Sequence, residues 1–247
     1  MYVNRTYRNN MAHGLRSFRT CIKETDLFIS VDEKSFNDEL AKRVEKQIIA
    51  LRYDLEGYIE RDTEFKVTLN PHMLLPGAPG IAQTMAAAAN TAGVGPMAAV
   101  AGAFAEYVGR NLMEFCAEVI VENGGDIFMS SSRNRLAGIF AGNSPFTGRI
   151  AIEIPVDKMP LGVCTSSGTV GPSLSLGKAD AAIIIARSTA LADAAASAAG
   201  NAVNTKNDVE TGVEVAKKIP GILGAVMIKD DQLAAWGEFK IVRVKTS

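Results

Sequence analysis

The chain has 247 residues, of which 47% are hydrophobic and 21% charged, and its formal net charge is −1. This is the balance of an ordinary globular protein and argues against long disordered segments. Because no excess of positive charge is available to hold a phosphate backbone, we expect no nucleic-acid partner.

The first quarter of the chain predicts a β-hairpin followed by one long helix. Residues 18–23 and 27–31 are short β-type runs on either side of a Glu-Thr-Asp turn. Ser35 begins a capping-box pattern with Asp38, which predicts a helix cap at Ser35. Apolar residues then recur at spacings of three and four and predict one buried helix face: Leu40, Val44, Ile48, Leu51, Leu55 and Ile59.

The stretch 67–105 contains no Asp, Glu, Lys or Arg and is long enough to span a bilayer. It is mostly Ala and Gly, is interrupted by prolines, and has few of the Leu, Ile and Phe residues that drive insertion, so we expect no membrane span. We interpret it as two packed helices, residues 81–91 and a second one from Pro96 to about Phe115. Because surplus apolar surface commonly goes to subunit contacts, we also expect a homo-oligomer, a dimer.

The pattern then changes to short strands separated by turns. The predicted strands are 117–121, 127–130, 136–141, 149–154, 161–165, 181–186, 224–228 and 239–244. Helices are predicted from Thr189 to about Val203 and over 209–218. We therefore expect an α+β fold with mixed or antiparallel sheets packed on Ala-rich helices. The sequence has no linker, so we expect a single domain over residues 1–247, with the hairpin and long helix in 1–65 and the core in 66–247.

Residues 122–126, Glu-Asn-Gly-Gly-Asp, lie between two predicted strands. Asn-Gly followed by Gly is a strong tight-turn signal, so a plain hairpin turn explains the segment. The functional alternative is that Gly124 and Gly125, which lack a Cβ, let the backbone touch a ligand, with Asp126 beside it. The residues alone leave both interpretations open.

Residues 164–178 are rich in hydroxyls and glycines and end in Lys178. Hydroxyls, backbone amides and a lysine are the groups that a phosphate cradle needs. The candidate contacts are Thr165, Ser166, Ser167 and Gly168. The segment is not a Walker A loop, because no Ser or Thr follows the lysine. A polar loop between strands is the alternative.

Asp193 and Ser197 lie four residues apart in the Ala-rich helix, so their side chains leave the same helix face. A carboxylate and a hydroxyl are hard oxygen ligands suited to Mg²⁺ or Ca²⁺. The alternative is an Asp that only complements the positive N-terminal end of its helix.

Cysteine and histidine usage points away from other chemistries. His13 and His72 have no ligand spacing, so we do not expect zinc. Cys21, Cys116 and Cys164 form neither a disulfide framework nor a CxxC pair, which favours reduced thiols in a cytoplasm. The N-terminus is polar, so we expect neither a signal peptide nor a membrane anchor.

In their order and separation, the three segments resemble the ApbE superfamily, the FAD:protein FMN transferases of bacteria. That family shares a Gly-Gly-Asp turn after a strand, a Thr-Ser-Gly turn, and Ala-Asp-Ala-x-Ala-Thr on a helix. Residues 124–126, 165–168 and 192–197 match these motifs, with Ser197 in place of the usual Thr. The His-Ile-Ile-Asp-Pro stretch that follows the Thr-Ser-Gly turn in the family is replaced by residues 171–180.

A closer resemblance is to a small uncharacterised branch of that superfamily, from archaea and anaerobic bacteria. Its hallmarks are similar to residues 23–27, 93–102 and 164–180, so that this resemblance covers nearly the whole chain.

The resemblance implies a divalent metal, Mg²⁺ or alternatively Ca²⁺, held by Asp193 and Ser197. The metal would face the pyrophosphate of FAD or a related nucleotide, whose contacts would come from the Gly-Gly-Asp and Thr-Ser-Ser-Gly turns. We take Asp193 and Lys178 as candidate catalytic residues of a metal-assisted transfer of FMN or a nucleotidyl group. We also expect the three segments to converge on one cleft.

Two alternatives stay open at this point. The first is a sulfur-assimilation protein, for instance in homocysteine formation, with Cys164 as its thiol. The second is a ligand-binding module without catalysis. A cysteine in this setting is more often a small buried hydrophobic residue, which is the simpler explanation of Cys164.

Overall fold

The computed structural model describes residues 13–169 and 176–244. The strands are β1 Arg16–Ile22, β2 Thr25–Val31, β3 Val119–Asn123, β4 Asp126–Ser130, β5 Arg135–Gly138, β6 Ile150–Ile154, β7 Leu161–Ser166, β8 Ala181–Ala186, β9 Ile222–Lys229, β10 Gln232–Gly237 and β11 Lys240–Arg243. The α-helices are α1 Asp38–Arg61, α2 Thr63–Val67, α3 Gly80–Ala92, α4 Val100–Leu112, α5 Thr189–Asn201 and α6 Val209–Lys218.

The strands form two antiparallel sheets. The larger has eight strands in the order β1-β2-β3-β4-β7-β8-β9-β10, and the smaller has three in the order β11-β6-β5. All of their pairings are antiparallel. Together with the helices, this arrangement confirms the expected α+β fold.

The large sheet lies between a layer of helices and the small sheet. α4 packs on β3 and β4, α5 on β7 and β8, and α6 on β9 and β10. Alanines let α5 approach the sheet closely, because Ala192, Ala195, Ala196 and Ala199 are all buried there. A further apolar cluster extends from Leu27 on β2 to Ala194 on α5, so the hairpin shares its core with the rest of the chain. The single domain over residues 1–247 stays a prediction.

α1 has the predicted apolar face but a different cap. The side-chain oxygen of Asn37 accepts a hydrogen bond from the Leu40 amide at 2.8 Å, so Asn37 is the N-cap. The prediction of a cap at Ser35 was wrong, because the Ser35 hydroxyl donates to Asp32 Oδ1 at 2.9 Å and so stabilises the preceding turn. The buried side chains of the helix are Leu40, Val44, Ile48, Leu55 and Tyr58.

Residues 23–27 tie the hairpin to α1. The Arg52 guanidinium contacts Thr25 Oγ1 at 2.7 Å and the carboxylates of Glu24 and Glu56 at 2.6 Å each. Asp26 lies in another ion pair at the surface. Residues 23–27 therefore help to hold the β1–β2 hairpin against α1 through a network of surface charges.

The segment after α2 is held by a buried carboxylate. Asp62 is 6% exposed and accepts hydrogen bonds from the Tyr58 hydroxyl at 2.7 Å and from His72 Nε2 at 2.9 Å. Burial raises the pKa of Asp62, but the hydrogen bonds from His72 and Tyr58 outweigh it and leave the pKa lowered. His72 therefore anchors this loop.

The helix predicted from Pro96 is divided. Pro96–Ala99 form a single 3-10 turn, and α4 begins only at Val100 and ends at Leu112, short of the predicted Phe115. Only glycine fits at position 95, because a Cβ there would lie 1.9 Å from the Thr68 carbonyl oxygen. Among the described residues, no helix is both long and apolar enough to cross a membrane.

One strand was missed by the sequence analysis. β10 pairs with β9 over Gln232–Gly237 and forms the end of the large sheet. Its sequence, Gln-Leu-Ala-Ala-Trp-Gly, has few β-branched residues, so propensity gives it little signal. Asp230, with a φ of 54°, makes the turn that directs the chain back along β9.

Candidate functional site

The Gly-Gly-Asp segment forms the predicted hairpin turn between β3 and β4. Asn123 pairs with Asp126 across the turn, and Gly124 and Gly125 have φ values of 70° and 126°. Both values lie in the region that glycine adopts without strain. Asp126 is 8% exposed and shares the helix-facing side of β4 with Phe128, which packs against Gly109 of α4.

β7 brings the second segment alongside this turn. Ile127 pairs with Val163, so the next position along β7, Cys164, lies beside Asp126 on the helix side of the sheet. A Cβ on Gly125 would lie 3.8 Å from the Thr165 carbonyl oxygen, which places the turn against the end of β7. The Thr165 side chain itself leaves the opposite face, toward the small sheet.

Cys164 is completely buried, and its thiol donates to the Thr189 carbonyl oxygen at 3.3 Å. Burial, followed by the negative charges of Asp126 and Asp193, raises the pKa of this thiol well above its usual value. The thiol therefore stays protonated and out of contact with solvent, which gives the sulfur-chemistry alternative no support.

Asp193 projects from α5 toward the start of α4. Its Oδ2 accepts a hydrogen bond from the Gly102 amide at 2.8 Å. A Cβ on Gly102 would lie 2.4 Å from the Thr189 carbonyl oxygen and 2.8 Å from Asp193 Cβ, so only glycine permits this approach. Burial and then the nearby charge of Asp126 raise the pKa of Asp193 well above its usual value, while the amides of Gly102 and Ala101 act in the opposite direction.

Glu106 fixes the same pair of helices one turn further along. Its Oε2 accepts hydrogen bonds from the Ser188 hydroxyl at 2.9 Å and from the amides of Thr189 at 2.7 Å and Ala190 at 3.2 Å. Its Oε1 accepts from Arg110 Nε at 2.8 Å. A carboxylate thus occupies the positive N-terminal end of α5. Helix α4 therefore contacts α5 at two points, Gly102 and Glu106, which lie one helical turn apart on α4.

The turn is joined to α4 by a third contact. Asn123 Nδ2 donates to the Ala101 carbonyl oxygen at 3.1 Å. Together, these contacts bring Asp126 and Asp193 into one partly enclosed site formed by the β3–β4 turn, the end of β7, α4 and α5.

Ser197 lies one turn after Asp193 on the same face of α5 and is half-buried. Further along the helix, a Cβ on Gly200 would lie 3.8 Å from Ser166 Oγ, so Ser166 lies against the C-terminal part of α5. The candidate residues are thus distributed along one side of this helix, from Asp193 at one end to Ser166 at the other.

Two further contacts fix the Thr-Ser-Ser-Gly turn. The Thr169 amide donates to Ser167 Oγ at 3.2 Å, and the Thr169 hydroxyl donates to Asp180 Oδ1 at 3.1 Å. A Cβ on Gly168 would lie 2.1 Å from the Gly177 carbonyl oxygen, so Gly168 allows the two ends of the loop to touch. Residues 170–175 of this loop, including Gly171, lie outside the described residues.

Lys178 does not lie beside the carboxylates of Asp126 and Asp193. Its amide donates to the Val203 carbonyl oxygen at 2.7 Å, beyond the C-terminal end of α5, and its side chain is exposed. Asp193 and Asn201, the last residue of α5, are separated by about 12 Å of helical rise. A role for Lys178 in catalysis stays a prediction, and it would require a ligand that extends along α5.

The residues present fit a divalent metal by their chemistry. Asp126 and Asp193 share a partly buried site in which the charge of Asp126 disfavours that of Asp193, and a cation between them would remove that repulsion. Among residues 13–169 and 176–244, no three His, Cys, Asp or Glu side chains are arranged as a metal-binding group. Hydroxyl, backbone and substrate oxygens would therefore have to supply the remaining ligands.

The sheets, the helix layer and the site on α5 define an ApbE-like protein. The chain belongs to the family described as "AbpE bacteria", whose model matches residues 8–221. It is similar to the UPF0280 protein of Methanosarcina acetivorans, with 41% identity over 227 residues that cover 91% of this chain and 88% of the relative. The UPF0280 protein of Methanocella arvoryzae is 44% identical over 202 residues, which cover 79% of this chain and 80% of the relative.

Two solved structures have a similar fold. The apo form of the flavinyl transferase ApbE from Pseudomonas stutzeri gives a TM-score of 0.57 at 14% identity, covering 94% of this chain and 95% of that one. The flavin transferase ApbE from Vibrio cholerae gives a TM-score of 0.53 at 12% identity, covering 93% of this chain and 96% of that one. At such low identity the likeness concerns the fold alone.

Three residues of this site had no assigned role in the sequence analysis. Gly102 carried a partial signal, because a small residue in a helix allows close approach, but its partner lies 91 residues away in sequence. Glu106 is the first charged residue after the uncharged stretch 67–105, which marks it as unusual. Asn123 was explained by the turn alone, and nothing in the sequence pointed to its contact with α4.

Proposed function

We propose that this protein binds a flavin or another diphosphate-containing nucleotide through a divalent metal and transfers an FMN or nucleotidyl group. Mg²⁺ is the expected ion, with Ca²⁺ as the alternative. The observation that carries the proposal is the convergence of Asp126 and Asp193, far apart in sequence, in one partly buried site where Asp193 accepts a hydrogen bond from the Gly102 amide. The named activity of the two similar structures supports flavin as the ligand class.

In this proposal Asp193 and Ser197 hold the metal, and the metal supplies neutralisation of the diphosphate charge. The Gly102 and Ala101 amides keep the Asp193 carboxylate oriented. The ligand contacts come from the two turns: Gly124, Gly125, Asp126, Ser166, Ser167, Gly168 and the backbone of Thr165. The backbone of the β3–β4 turn can approach a ligand closely, because its two glycines carry no side chain there.

Calorimetric titration of Mg²⁺ and FAD into the protein tests the proposal. Metal binding to the protein alone should be weak, because two side-chain oxygens leave most of an octahedral shell unfilled, and it should tighten when FAD is present. Asp193→Asn should abolish this coupling, and Ser197→Ala should weaken it less, because water can replace a neutral hydroxyl.

Asp38→Asn provides the matched control. Asp38 is an exposed acid in the first turn of α1, so its charge acts only on the helix end. Its loss should cost about 0.3–1 kcal/mol of stability and leave the titration unchanged. If Asp193→Asn behaves in the same way, with titration curves identical to wild type, the metal-site proposal is wrong. Binding without any transfer would instead favour the ligand-binding module.

The subunit arrangement and location belong to the same proposal. We expect a cytoplasmic homodimer that acts on a small-molecule ligand. In support of a dimer, four apolar side chains near the start of the uncharged stretch are substantially exposed: Val67, Leu69, Met73 and Leu75. Light scattering at micromolar protein concentration tests it, and a monomer mass would exclude the dimer.

A further inference from the structure

The peptide group between Ala101 and Gly102 makes hydrogen bonds in two directions. Its carbonyl oxygen, from Ala101, accepts from Asn123 Nδ2 at 3.1 Å. Its N–H, from Gly102, donates to Asp193 Oδ2 at 2.8 Å. Because the C=O and N–H of a trans peptide point in opposite directions within one plane, Asn123 and Asp193 lie on opposite sides of this group.

Asn123 and Asp193 are therefore the two ends of one hydrogen-bonded chain. A donor on a carbonyl oxygen increases the polarity of the N–H in the same peptide group, so each bond strengthens the other. The side chain of Asn123 extends from the end of β3, where the strand pairs with both β2 and β4, so its amide holds the peptide plane from a paired strand. The Asp193 carboxylate is thus linked, through one peptide group, to a residue that does not touch it.

The same residue links both carboxylates of the site. Asn123 and Asp126 are paired on the two sides of the Gly124–Gly125 turn. The amide of Asn123 holds the turn to α4, and α4 holds Asp193. This one side chain therefore connects the carboxylate on β4 to the carboxylate on α5 by way of α4.

We propose that Asn123 is a positioning residue that orients the Asp193 carboxylate for metal binding through the Ala101–Gly102 peptide. This inference rests on the proposed metal-dependent function of the same site. The competing explanation is that Asn123 only favours the turn, as Asn does before Gly. The two explanations differ in whether the loss of the amide changes metal affinity or only stability.

The experiment is titration with Mn²⁺, first alone and then with FAD present, with the free ion followed by electron paramagnetic resonance, and thermal unfolding measured on the same samples. Asn123→Ala should weaken Mn²⁺ binding by about tenfold, as is typical when a group that orients a ligand residue is lost. Asn123→Ser keeps a polar turn residue but is too short to bridge to Ala101, so it should weaken binding to the same extent. It also carries the test if the alanine variant does not fold.

Asn90→Ala is the matched control. The Asn90 amide also donates to a backbone carbonyl oxygen, that of His72, at 3.1 Å, but it has no connection to Asp193. It should lower the unfolding temperature without changing Mn²⁺ affinity. Unchanged Mn²⁺ affinity in both Asn123 variants, or an equal loss in Asn90→Ala, would overturn the inference while leaving the proposed function standing. A wild-type protein that binds no Mn²⁺, alone or with FAD, would overturn both.

Discussion

Gly102 and Asp193 meet where α4 packs against α5, joined by a hydrogen bond of 2.8 Å from the glycine amide to the carboxylate. The absence of a side chain at Gly102 is what allows this contact, because a Cβ there would lie 2.8 Å from Asp193 Cβ. The position of the candidate metal ligand is thus set by a backbone group of a neighbouring helix.

Gly102→Ala adds a single methyl group, but it should disturb the packing of α4 against α5. The added methyl group meets the Thr189 backbone and forces α5 away, which should cost about 1–3 kcal/mol of unfolding free energy. Coupling between Mg²⁺ and FAD should be lost in the same variant. Gly57→Ala is the control, because a Cβ at this exposed position of α1 meets nothing within 4 Å. It should stabilise the protein by about 0.5–1 kcal/mol, as alanine does in a helix interior.

Glu106→Gln should destabilise the protein by about 1–2 kcal/mol. The amide keeps an oxygen for the Thr189 N–H, but it removes the negative charge from the N-terminal end of α5 and from Arg110. Urea unfolding measures the change. Glu45→Gln, which alters an exposed acid on α1, should stay within about 0.5 kcal/mol of wild type. Equal stability of the two variants would exclude this function for Glu106.

Glu118 should make folding stability sensitive to acid. Burial raises its pKa, but hydrogen bonds from Ser131, Arg135 and Ser132 outweigh this and lower it from 4.5 to about 2. Because the folded value lies below the unfolded one, the stabilisation is fully present above about pH 4.5 and is lost as the pH falls toward 2. The loss should amount to about 3 kcal/mol over this window.

Urea unfolding between pH 2 and pH 6, in wild type and in Glu118→Gln, checks this prediction. The variant should be less stable at neutral pH, because it removes the negative charge of Glu118 from beside the buried Arg135, and its stability should depend less on pH within the window. A pH dependence of the variant as steep as that of wild type would contradict the assignment to Glu118.

The thiols should differ sharply in reactivity. Cys21 is exposed, whereas Cys116 and Cys164 are buried, and burial raises the pKa of both buried thiols. Iodoacetamide should therefore label Cys21 in the native protein and the other two only after unfolding, as mass spectrometry of the peptides would report. Rapid labelling of Cys164 in the folded state would reopen the thiol-based alternative.

The strands and helices whose apolar residues recur at a regular spacing could be predicted from the sequence. The three motifs could be recognised in it directly. The buried face of α1 could be predicted because it depends only on the spacing of apolar residues within the helix, from Leu40 to Leu55. The N-cap was misplaced because Ser35 and Asn37 are both good capping residues, and only the Asp32 carboxylate decides between them.

The contacts that assemble the site could not be predicted in the same way. Gly102 bonds to a residue 91 positions away, Glu106 to one 83 positions away, and Asn123 to one 22 positions away. Each depends on which helix lies beside which strand, and local pattern holds no information about that choice. β10 was missed for a related reason, because its pairing with β9 rather than its own composition makes it a strand.

The carboxylate of Glu106 at the start of α5 has a consequence for how an anionic ligand can be held. In many nucleotide-binding proteins a phosphate is received by the free amides at the beginning of a helix. Here the amides of Thr189 and Ala190 are already satisfied by a side chain of the protein itself. In the proposed function, a diphosphate would therefore have to lie along the flank of α5 rather than at the helix end, and an exchangeable ion rather than a fixed dipole would balance its charge. Occupancy of the site would then follow the supply of that ion and would be reversed by a chelator.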